Sequence, residues 1–407
     1  MNEQDIINIK KKFPIFKKNI RQDDLYYLDN SAITHVPSCT INALTKFYST
    51  INSNVHRGAY YLSEKATEKY EASRAKITEF IGADNTASCV FVKSTTEAIN
   101  LVANSYVKPR LKKDDEILIS HMEHHSNIVP WYILQEEIKV KIKIIPLLTS
   151  GDLDYNLIDK LITNKTKFIS ITHISNAIGT INDIKRIIKI ANEKKIPILI
   201  DGAQSFLYNK INLKELNCDF FTISSHKMYG PNGLGVLYAK KIHLENMKPY
   251  QGGGEMIKYV SFSKILWNDI PYKFEAGTQP IASIIALGST VDFLNKLDLK
   301  SLYDYKKKLT EYALNRLTDI KNITLIASPI NRAGIISFNI DGVHSHDFGT
   351  IASHYGVCVR TGHHCAMPIM DFYNISSTIR ISLGIYNYKK DIDKLIEVIL
   401  KTKEIFK

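Results

Sequence analysis

Short runs of apolar and β-branched residues alternate with amphipathic segments from Ser88 onward. The run Cys89 to Val92 predicts a strand, and Thr95 to Val102 after it predicts a helix. A second helix is predicted at Asp183 to Glu193, where apolar residues recur at helical spacing. Further strands are predicted at Glu116 to Ile119, Lys141 to Ile145, Phe168 to Thr172, Ile196 to Ile200, Asp219 to Ile223 and Gly235 to Tyr238. This alternation is typical of an α/β fold with a mostly parallel, doubly wound sheet between helices.

The pattern changes after about Asp292. A long helix is predicted at Leu302 to Leu317, a strand at Gly334 to Asn339 and a closing helix at Asp391 to Ile399. Since a single core stops growing near about 250 to 300 residues, a chain of 407 residues is expected to form two domains. We predict a large domain over residues 23–292, and a smaller α+β domain from residues 1–22, with a helix at Asp5 to Lys12, together with residues 293–407.

Composition narrows the class of protein. The net charge of +12 comes from lysines scattered among apolar residues, which favours a solvated surface over nucleic-acid binding and leaves an acidic protein partner open. No apolar run approaches the length of a membrane span, and the N-terminus is polar, so we expect a cytoplasmic protein without membrane contact. Five cysteines without paired spacing fit a reducing compartment. Four are expected to be core or incidental: Cys39, Cys89, Cys218 and Cys358.

Two polar residues follow predicted buried strands. Asp201 comes directly after Ile196 to Ile200, at the strand end where such sheets bind ligands. Lys227 follows the run Phe220 to Ser225. Taken singly, Asp201 could be a helix cap and Lys227 a surface lysine. Together they suit pyridoxal phosphate, which needs a lysine for a Schiff base and an acid for its ring nitrogen.

Two further segments extend this hypothesis. Ser94 to Glu97 places hydroxyl groups at a predicted helix start, which suits a phosphate but is equally a capping box. His124 and His125 follow a predicted strand, where an imidazole could stack on an aromatic ring. A metal site is as plausible for this pair taken alone.

The most reactive candidate is Cys365, which closes the run Val359 to Cys365. Neighbouring imidazoles and Arg360 can hold its thiol as the nucleophilic thiolate. Zinc ligation by Cys365 with nearby histidines, including His344 and His346, is the alternative. The tight loop between Gly362 and Pro368 and the lack of recurring ligand spacing disfavour it.

Nine segments of the chain, including those just described, resemble in their order the signature blocks of a known family. This family is the pyridoxal-phosphate cysteine desulfurases of the Suf type (group II), which are relatives of the class-V aminotransferases. The run Arg360 to Ala366 resembles the group with a short cysteine loop, although Met367 departs from the usual glutamine. The blocks are Leu28 to Asn30, Asn54 to Gly58, Thr95 to Glu97, Glu123 to His125, Ser175 to Asn176, Asp201 to Gln204, Ser225 to Lys227, Phe274 to Thr278 and Arg360 to Ala366. The resemblance implies fold type I of the pyridoxal-phosphate-dependent transferases, with a seven-stranded sheet.

The resemblance also implies residue roles. Lys227 would hold the cofactor and move the substrate's Cα proton, Asp201 would pair with the ring nitrogen, and Cys365 would be the nucleophile. Gln204 would bond the phenolic oxygen, and His124 would stack on the ring and shuttle protons. The phosphate would be held by Thr95, Thr96, Ser224, His226 and, from a second subunit, Thr278. The substrate would be bound by Arg380, Asn176, His56 and Arg360. No metal is expected.

The implied activity is conversion of L-cysteine to L-alanine, with a persulfide on Cys365. A homodimer would pass this sulfur to a small Suf-type acceptor protein, SufE-like or SufU-like, for iron-sulfur cluster assembly. Selenocysteine lyase is the alternative, and an aminotransferase of the same fold is a more distant one because it would not need Cys365.

Overall fold

The computed structural model describes residues 1–17, 24–208 and 210–406. Its strands are β1 (Tyr26–Tyr27), β2 (Cys89–Val92), β3 (Glu116–Ser120), β4 (Lys141–Ile145), β5 (Thr166–Thr172), β6 (Ile198–Asp201), β7 (Phe220–Ser224), β8 (Gly235–Ala239), β9 (Ile257–Val260), β10 (Ile265–Trp267), β11 (Ile323–Ile326), β12 (Ile335–Ile340), β13 (Val357–Cys358), β14 (Arg360–Gly362) and β15 (Thr378–Ser382). Its α-helices are α1 (Glu3–Lys10), α2 (Ser38–Thr50), α3 (Tyr61–Phe80), α4 (Thr95–Val102), α5 (Val129–Ile138), α6 (Ile158–Leu161), α7 (Ile184–Glu193), α8 (Ser205–Tyr208), α9 (Leu213–Leu216), α10 (Lys241–Asn246), α11 (Ile281–Asn295), α12 (Leu299–Thr318), α13 (Ser345–His354), α14 (Met367–Phe372) and α15 (Lys389–Ile405).

The central sheet has seven strands in the order β2-β8-β7-β6-β5-β3-β4. Every neighbouring pair is parallel except those of β8, which runs antiparallel to β2 and β7. The predicted mostly parallel seven-stranded sheet is therefore confirmed. The bounds of β2 and β4 match the prediction, the ends of the other strands differ by at most two residues, and Asp201 is itself the last residue of β6.

Both faces of the sheet are buried along β2, β3, β5, β6, β7 and β8, whose residues are almost all buried, whereas the edge strand β4 is partly exposed. Successive residues of a strand point to opposite faces, so Ile198 and Ile200 pack in one core while Leu199 packs in the other. The apolar stripe of α7 joins the core of Ile198. Cys89 and Cys218 are fully buried, as expected for small apolar residues.

A second sheet, entirely antiparallel, has the order β11-β12-β15-β14. It packs with α12, α13 and α15 around its own core. The N-terminal helix α1 joins this part through an ion pair of 3.1 Å between Lys10 and Asp391. The division at residues 292 and 293 stays a prediction, and the boundary at residues 22 and 23 lies outside the described residues.

Several elements were not predicted from the hydrophobic pattern. Helix α11 packs against α2 and α3, and at Gly288 a Cβ atom would lie 2.5 Å from Oγ of Ser73, so a glycine is required there. Strands β9 and β10 form a hairpin outside the central sheet. Among the described residues, no helix is long and apolar enough to cross a membrane.

Candidate active site

One cavity of about 210 Å³ lies at the carboxyl ends of the central strands. Because β5, β6 and β7 run in parallel, their last residues Thr172, Asp201 and Ser224 meet at this edge. All but two of the predicted site residues line this cavity: Thr95, Thr96, His124, Asn176, Asp201, Gln204, Ser224, His226, Lys227, Arg360, Cys365 and Arg380. It is also lined by residues that we did not predict as site residues: Ser31, Ala32, Ser94, Ser126, Thr172, Ile174, Ala203 and His364.

Lys227 and Asp201 are a buried amine and a buried carboxyl in this cavity. Burial lowers the pKa of Lys227 to about 8, and the charge of Asp201 opposes this change. Burial raises the pKa of Asp201, and a hydrogen bond of 3.0 Å from the Ala203 N–H opposes it. The neutral, nucleophilic fraction of the Lys227 amine near neutral pH is therefore much larger than that of an ordinary lysine with a pKa of 10.5.

The N-terminus of α4 opens onto the same cavity. Ser94 caps the helix by accepting a hydrogen bond of 3.2 Å from the Glu97 N–H. The hydroxyl groups of Thr95 and Ser224 lie 2.8 Å apart. Gly235 of β8 permits this approach, since a Cβ atom there would lie 2.8 Å from the Ser94 backbone. Unpaired N–H groups of a first helical turn together with hydroxyl donors form a site suited to an anion.

The side chains of His124 and Gln204 are both oriented by hydrogen bonds, one to a near neighbour in sequence and one to a distant segment. The Nδ1 atom of His124 accepts a hydrogen bond of 3.1 Å from the Ser126 N–H. Burial, with the positive charge of Lys227, lowers the pKa of His124 to about 3, so its imidazole is neutral. The Nε2 atom of Gln204 donates to the Ser31 carbonyl at 2.8 Å, whereas its Oε1 atom is buried and has no partner among the described residues.

The loop that carries Cys365 is held by contacts from the large sheet. The Sγ atom of Cys365 also lies 3.9 Å from Nη2 of Arg360 on β14 of the small sheet. The His125 N–H donates to the Cys365 carbonyl at 2.9 Å, and Nδ2 of Asn176 donates to the His364 carbonyl at 2.7 Å. The backbones of His364 and Cys365 are both left-handed, with φ of 54° and 56°. The thiol is thus presented on a tight turn with fixed backbone contacts.

Arg380 lies on β15 and is almost fully buried. Its Nη2 atom donates to Asp29 at 2.7 Å, and its Nη1 atom donates to the Asn176 carbonyl at 2.8 Å. Burial lowers the pKa of Arg380, and the Asp29 carboxylate opposes this. The Nε atom has no partner in the described part of the chain, and the two bonds use only two of the five N–H groups of the guanidinium. Asp29 was not predicted as a site residue because 351 positions separate it from Arg380.

Thr278 and His56 lie outside the cavity of their own chain. His56 lines a separate cavity of about 430 Å³ and bonds Glu71 at 2.9 Å. Thr278 does not line either cavity. The segment of residues 254 and 255 contacts the chain neighbours of both residues. The Gly277 N–H, next to Thr278, donates to the Gly254 carbonyl at 3.0 Å, and Arg57, next to His56, pairs with Glu255 at 3.3 Å. Both residues therefore lie near one face of the molecule.

The alternative of zinc ligation receives no support from the geometry. His344 and His346 have stacked rings 5.7 Å apart, and Nδ1 of His346 lies 3.3 Å from the Thr361 hydroxyl. In the part of the chain that the structure describes, no group of three or more His, Cys, Asp and Glu side chains is placed to hold a metal ion.

The cavity fits pyridoxal phosphate on the chemistry of its lining. An aldehyde can react with the Lys227 amine, and a protonated ring nitrogen can pair with the Asp201 carboxylate. The buried Oε1 of Gln204 lacks a hydrogen-bond partner among residues 1–17, 24–208 and 210–406. Because buried polar groups normally have a partner, this oxygen indicates a ligand that would supply one. The α4 N-terminus supplies the phosphate site.

Comparison with known proteins gives the family. The class-V aminotransferase family model matches residues 26–395. A cysteine desulfurase of Wigglesworthia glossinidia brevipalpis is 46% identical over 99% of this chain and 98% of that protein. A probable cysteine desulfurase of Halalkalibacterium halodurans is 44% identical over 98% of each. The crystal structure of the Escherichia coli cysteine desulfurase CsdA covers 100% of both chains with a TM-score of 0.92 at 31% identity.

These matches confirm fold type I of the pyridoxal-phosphate-dependent transferases, and pyridoxal 5'-phosphate as the cofactor. The resemblance found in the sequence extends over nearly the whole chain. The chain belongs to the class-V aminotransferase family.

Proposed function

We propose that the protein is a cysteine desulfurase that converts L-cysteine to L-alanine and takes up the sulfur on Cys365. One observation carries the proposal: the thiol of Cys365 and the amine of Lys227 line the same cavity. An aminotransferase would need the amine without the thiol. The names of the relatives support the same activity.

The cofactor would be held by residues of the cavity. Lys227 would bind it covalently, and Asp201 would pair with its ring nitrogen. Gln204 would bond its phenolic oxygen, either as an acceptor through the free Oε1 atom or, after rotation of the side-chain amide, as a donor through Nε2. His124 would stack on the ring. The phosphate would be held by Thr95, Thr96, Ser224 and His226 of the same chain. When bound, pyridoxal phosphate withdraws electrons from the substrate's Cα and makes its sulfur open to attack.

The remaining work falls to side chains of this chain. Lys227, with its lowered pKa, takes and returns the Cα proton. Arg380, which lines the cavity and keeps N–H groups beyond those given to Asp29 and Asn176, would bind the substrate carboxylate, with Asn176 and Arg360 beside it. The imidazole of His124 is neutral, and because its Nδ1 atom accepts the Ser126 N–H, its Nε2 atom carries the ring proton that His124 would transfer. Together these groups orient the substrate and control its protons.

Cys365 would act as the sulfur acceptor. Its sulfur bonds to the substrate's Sγ and keeps it as a persulfide when the substrate's carbon-sulfur bond breaks. The guanidinium group of Arg360, 3.9 Å away, places a positive charge beside this sulfur. The short loop and its backbone contacts, from His125 and Asn176, limit how far the persulfide can move.

A persulfide with so little reach needs a partner that comes to it. We infer a small acceptor protein of the Suf type, SufE-like or SufU-like, which takes sulfur for iron-sulfur cluster assembly, and we assign the chain to the Suf-type group with a short cysteine loop. Met367, half exposed next to the nucleophile's turn, lies where such a partner would contact the enzyme. The five free cysteines are consistent with a cytoplasmic location.

The enzyme would be a homodimer in which each subunit completes the other's site. Thr278 and His56, which lie outside the cavity of their own chain, would reach the cavity of the second subunit. The nearby β9–β10 hairpin exposes apolar side chains that a second copy would cover. These side chains are Tyr259, Val260, Phe262, Ile265, Leu266 and Trp267.

The test of this function is product analysis. Purified protein loaded with pyridoxal phosphate is incubated with L-cysteine and a reductant, and alanine and sulfide are measured. Equal amounts of both are expected, with loss of both in Cys365→Ala and retention in the control Cys358→Ala. Absence of alanine from the wild-type protein overturns the proposal. If the wild-type protein and Cys365→Ala both release selenide from selenocysteine faster than the wild-type protein releases sulfide from L-cysteine, a selenocysteine lyase is favoured.

A further inference from the structure

Glu123, directly before His124, is a carboxyl group fully buried behind the cavity. It accepts hydrogen bonds from three groups on different segments. Thr172 donates its backbone N–H at 2.9 Å, Asn127 donates its side-chain amide at 2.6 Å, and Ser120 donates its hydroxyl group. Burial raises the pKa of Glu123 to about 8, and these donors oppose a larger rise. Glu123 does not line the cavity, so its role has to be exerted through its neighbours.

Trp131 fixes which groups of this network donate hydrogen bonds and which accept them. Its indole N–H can only donate, and it donates to Oδ1 of Asn127 at 3.1 Å. The Ser170 hydroxyl donates to the same oxygen at 2.6 Å. Asn127 therefore has to direct its NH₂ group at Glu123, and an acceptor is required at that position. A glutamine at position 123 would place its own NH₂ group against that of Asn127 or lose the Thr172 contact.

Strands β3 and β5 are paired along the backbone as far as Ile119 and Ser170, and the network connects the chain beyond that point. Ser120 ends β3, and the segment after it carries His124. Thr172 ends β5, lines the cavity and pairs in register with Asp201 of β6. The Glu123 carboxyl group thus ties the segment of His124 to the end of β5, the strand beside Asp201, where the backbone pairing of β3 and β5 has ended.

We propose that Glu123 is a positioning residue that sets the place of the His124 imidazole over the cofactor by tying its segment to the end of β5. The inference rests on the proposed function only in giving His124 a contact with the cofactor. It predicts that loss of the Glu123 contacts weakens cofactor binding through His124 and not through the stability of the fold alone.

The first experiment restores the hydrogen bonds in a rearranged form. Glu123→Gln is expected to weaken the dissociation constant for pyridoxal phosphate, measured by absorbance titration, about tenfold. In the double variant E123Q/N127D, the new amide NH₂ at position 123 donates to one oxygen of the new carboxylate at position 127. The other oxygen of that carboxylate still accepts from Trp131. The double variant is expected to recover the cofactor affinity to within about twofold of wild type. Failure to recover overturns the proposal, and this variant decides the matter also if E123Q alone does not fold.

The second experiment measures coupling to His124. If Glu123 acts through that imidazole, then E123Q changes the cofactor dissociation constant by less than about twofold in a His124→Ala background. An equal effect in both backgrounds means a merely structural role and overturns the proposal. E116Q is the matched control, because Glu116 is a buried carboxyl at the opposite end of β3, bonded to Thr163 and Thr166. It is expected to leave the cofactor affinity unchanged.

These readouts separate the two proposals. Cofactor affinity is measured without substrate, so the coupling between Glu123 and His124 can be present even if no alanine forms from cysteine. In that case the proposed function fails and the positioning role stands. If the wild-type enzyme forms alanine but Glu123 and His124 show no such coupling, the proposed function stands and the positioning role fails.

Discussion

The side-chain amide of Asn176 donates a hydrogen bond of 2.7 Å to the carbonyl oxygen of His364, the residue directly before Cys365. The carbonyl of Asn176 in turn accepts a hydrogen bond of 2.8 Å from Arg380. One buried residue near the end of β5 therefore connects the loop of the thiol with the arginine of the cavity. The place of the sulfur relative to the substrate site depends on this connection.

Replacing Asn176 by alanine is expected to loosen the Cys365 loop. The substitution leaves the His364 carbonyl without its partner in a buried position, at a cost of about 1 to 3 kcal/mol. Hydrogen exchange followed by mass spectrometry is expected to show faster exchange in the segment of residues 360–368. Asn192→Ala, at an exposed asparagine, is the control and keeps wild-type exchange there. Unchanged protection in Asn176→Ala contradicts the role of this contact.

The pKa of Lys227 predicts the pH dependence of cofactor attachment. Only the neutral amine attacks the aldehyde, and burial lowers the pKa of this amine from 10.5 to about 8. The rate at which the cofactor-free protein develops the yellow absorbance of the covalently held cofactor is expected to rise with pH and level off above about 8. Lys227→Ala does not develop it. A rate that still rises steeply above about pH 10, the range of an ordinary lysine, contradicts the lowered pKa.

Arg380→Lys is expected to raise the KM for L-cysteine about 10- to 100-fold. The contacts with Asp29 and Asn176 use two different nitrogens of a planar fork, and the single nitrogen of an ammonium group cannot hold both positions and also face the substrate carboxylate. Charged hydrogen bonds of this kind contribute about 1.5 to 3 kcal/mol. Arg332→Lys is the matched control, because Arg332 is half-buried and bonds backbone carbonyls outside the cavity. A KM unchanged in Arg380→Lys removes this arginine from substrate binding.

The ion pair between Arg74 and Glu275 predicts a difference in stability. Both side chains are buried, and two guanidinium nitrogens of Arg74 donate to the carboxylate at 2.7 and 2.8 Å. Arg74→Ala leaves Glu275 as an unpaired buried charge and is expected to lower the free energy of unfolding by about 3 to 5 kcal/mol.

The control for this prediction is Lys76→Ala. Lys76 pairs with Asp292, but both side chains are nearly half exposed, so the loss is expected to be below about 1 kcal/mol. Denaturant unfolding of the three proteins measures the difference. Equal losses in the two variants contradict the account of the buried pair.

The parts of the site that the sequence predicts lie at the ends of strongly apolar strands. Asp201 and Lys227 could be placed because each follows a run whose burial is evident from its composition, and parallel strands bring such ends together. The start of α4 was predicted for the same reason, since its capping residues follow β2 directly.

Contacts between distant segments could not be predicted in this way. Asn176 and His364 are 188 positions apart, and Asp29 and Arg380 are 351 apart, so no local pattern connects them. Helix α11 and the two helices that it packs against, α2 and α3, were not predicted. The apolar residues of α3 form no strong stripe, and those of α11 surround the helix. The placement of His56 and Thr278 outside the cavity likewise depends on tertiary structure.

The most direct test of the central claim is to find the sulfur. The loaded enzyme is mixed with L-cysteine in the absence of reductant, quenched in acid, digested and analysed by mass spectrometry. The peptide that contains Cys365 is expected to gain one sulfur atom, in the wild-type protein and in Cys358→Ala alike, and alanine is expected in equal amount. Alanine formation without added sulfur on Cys365, or undiminished turnover by Cys365→Ala, contradicts the account.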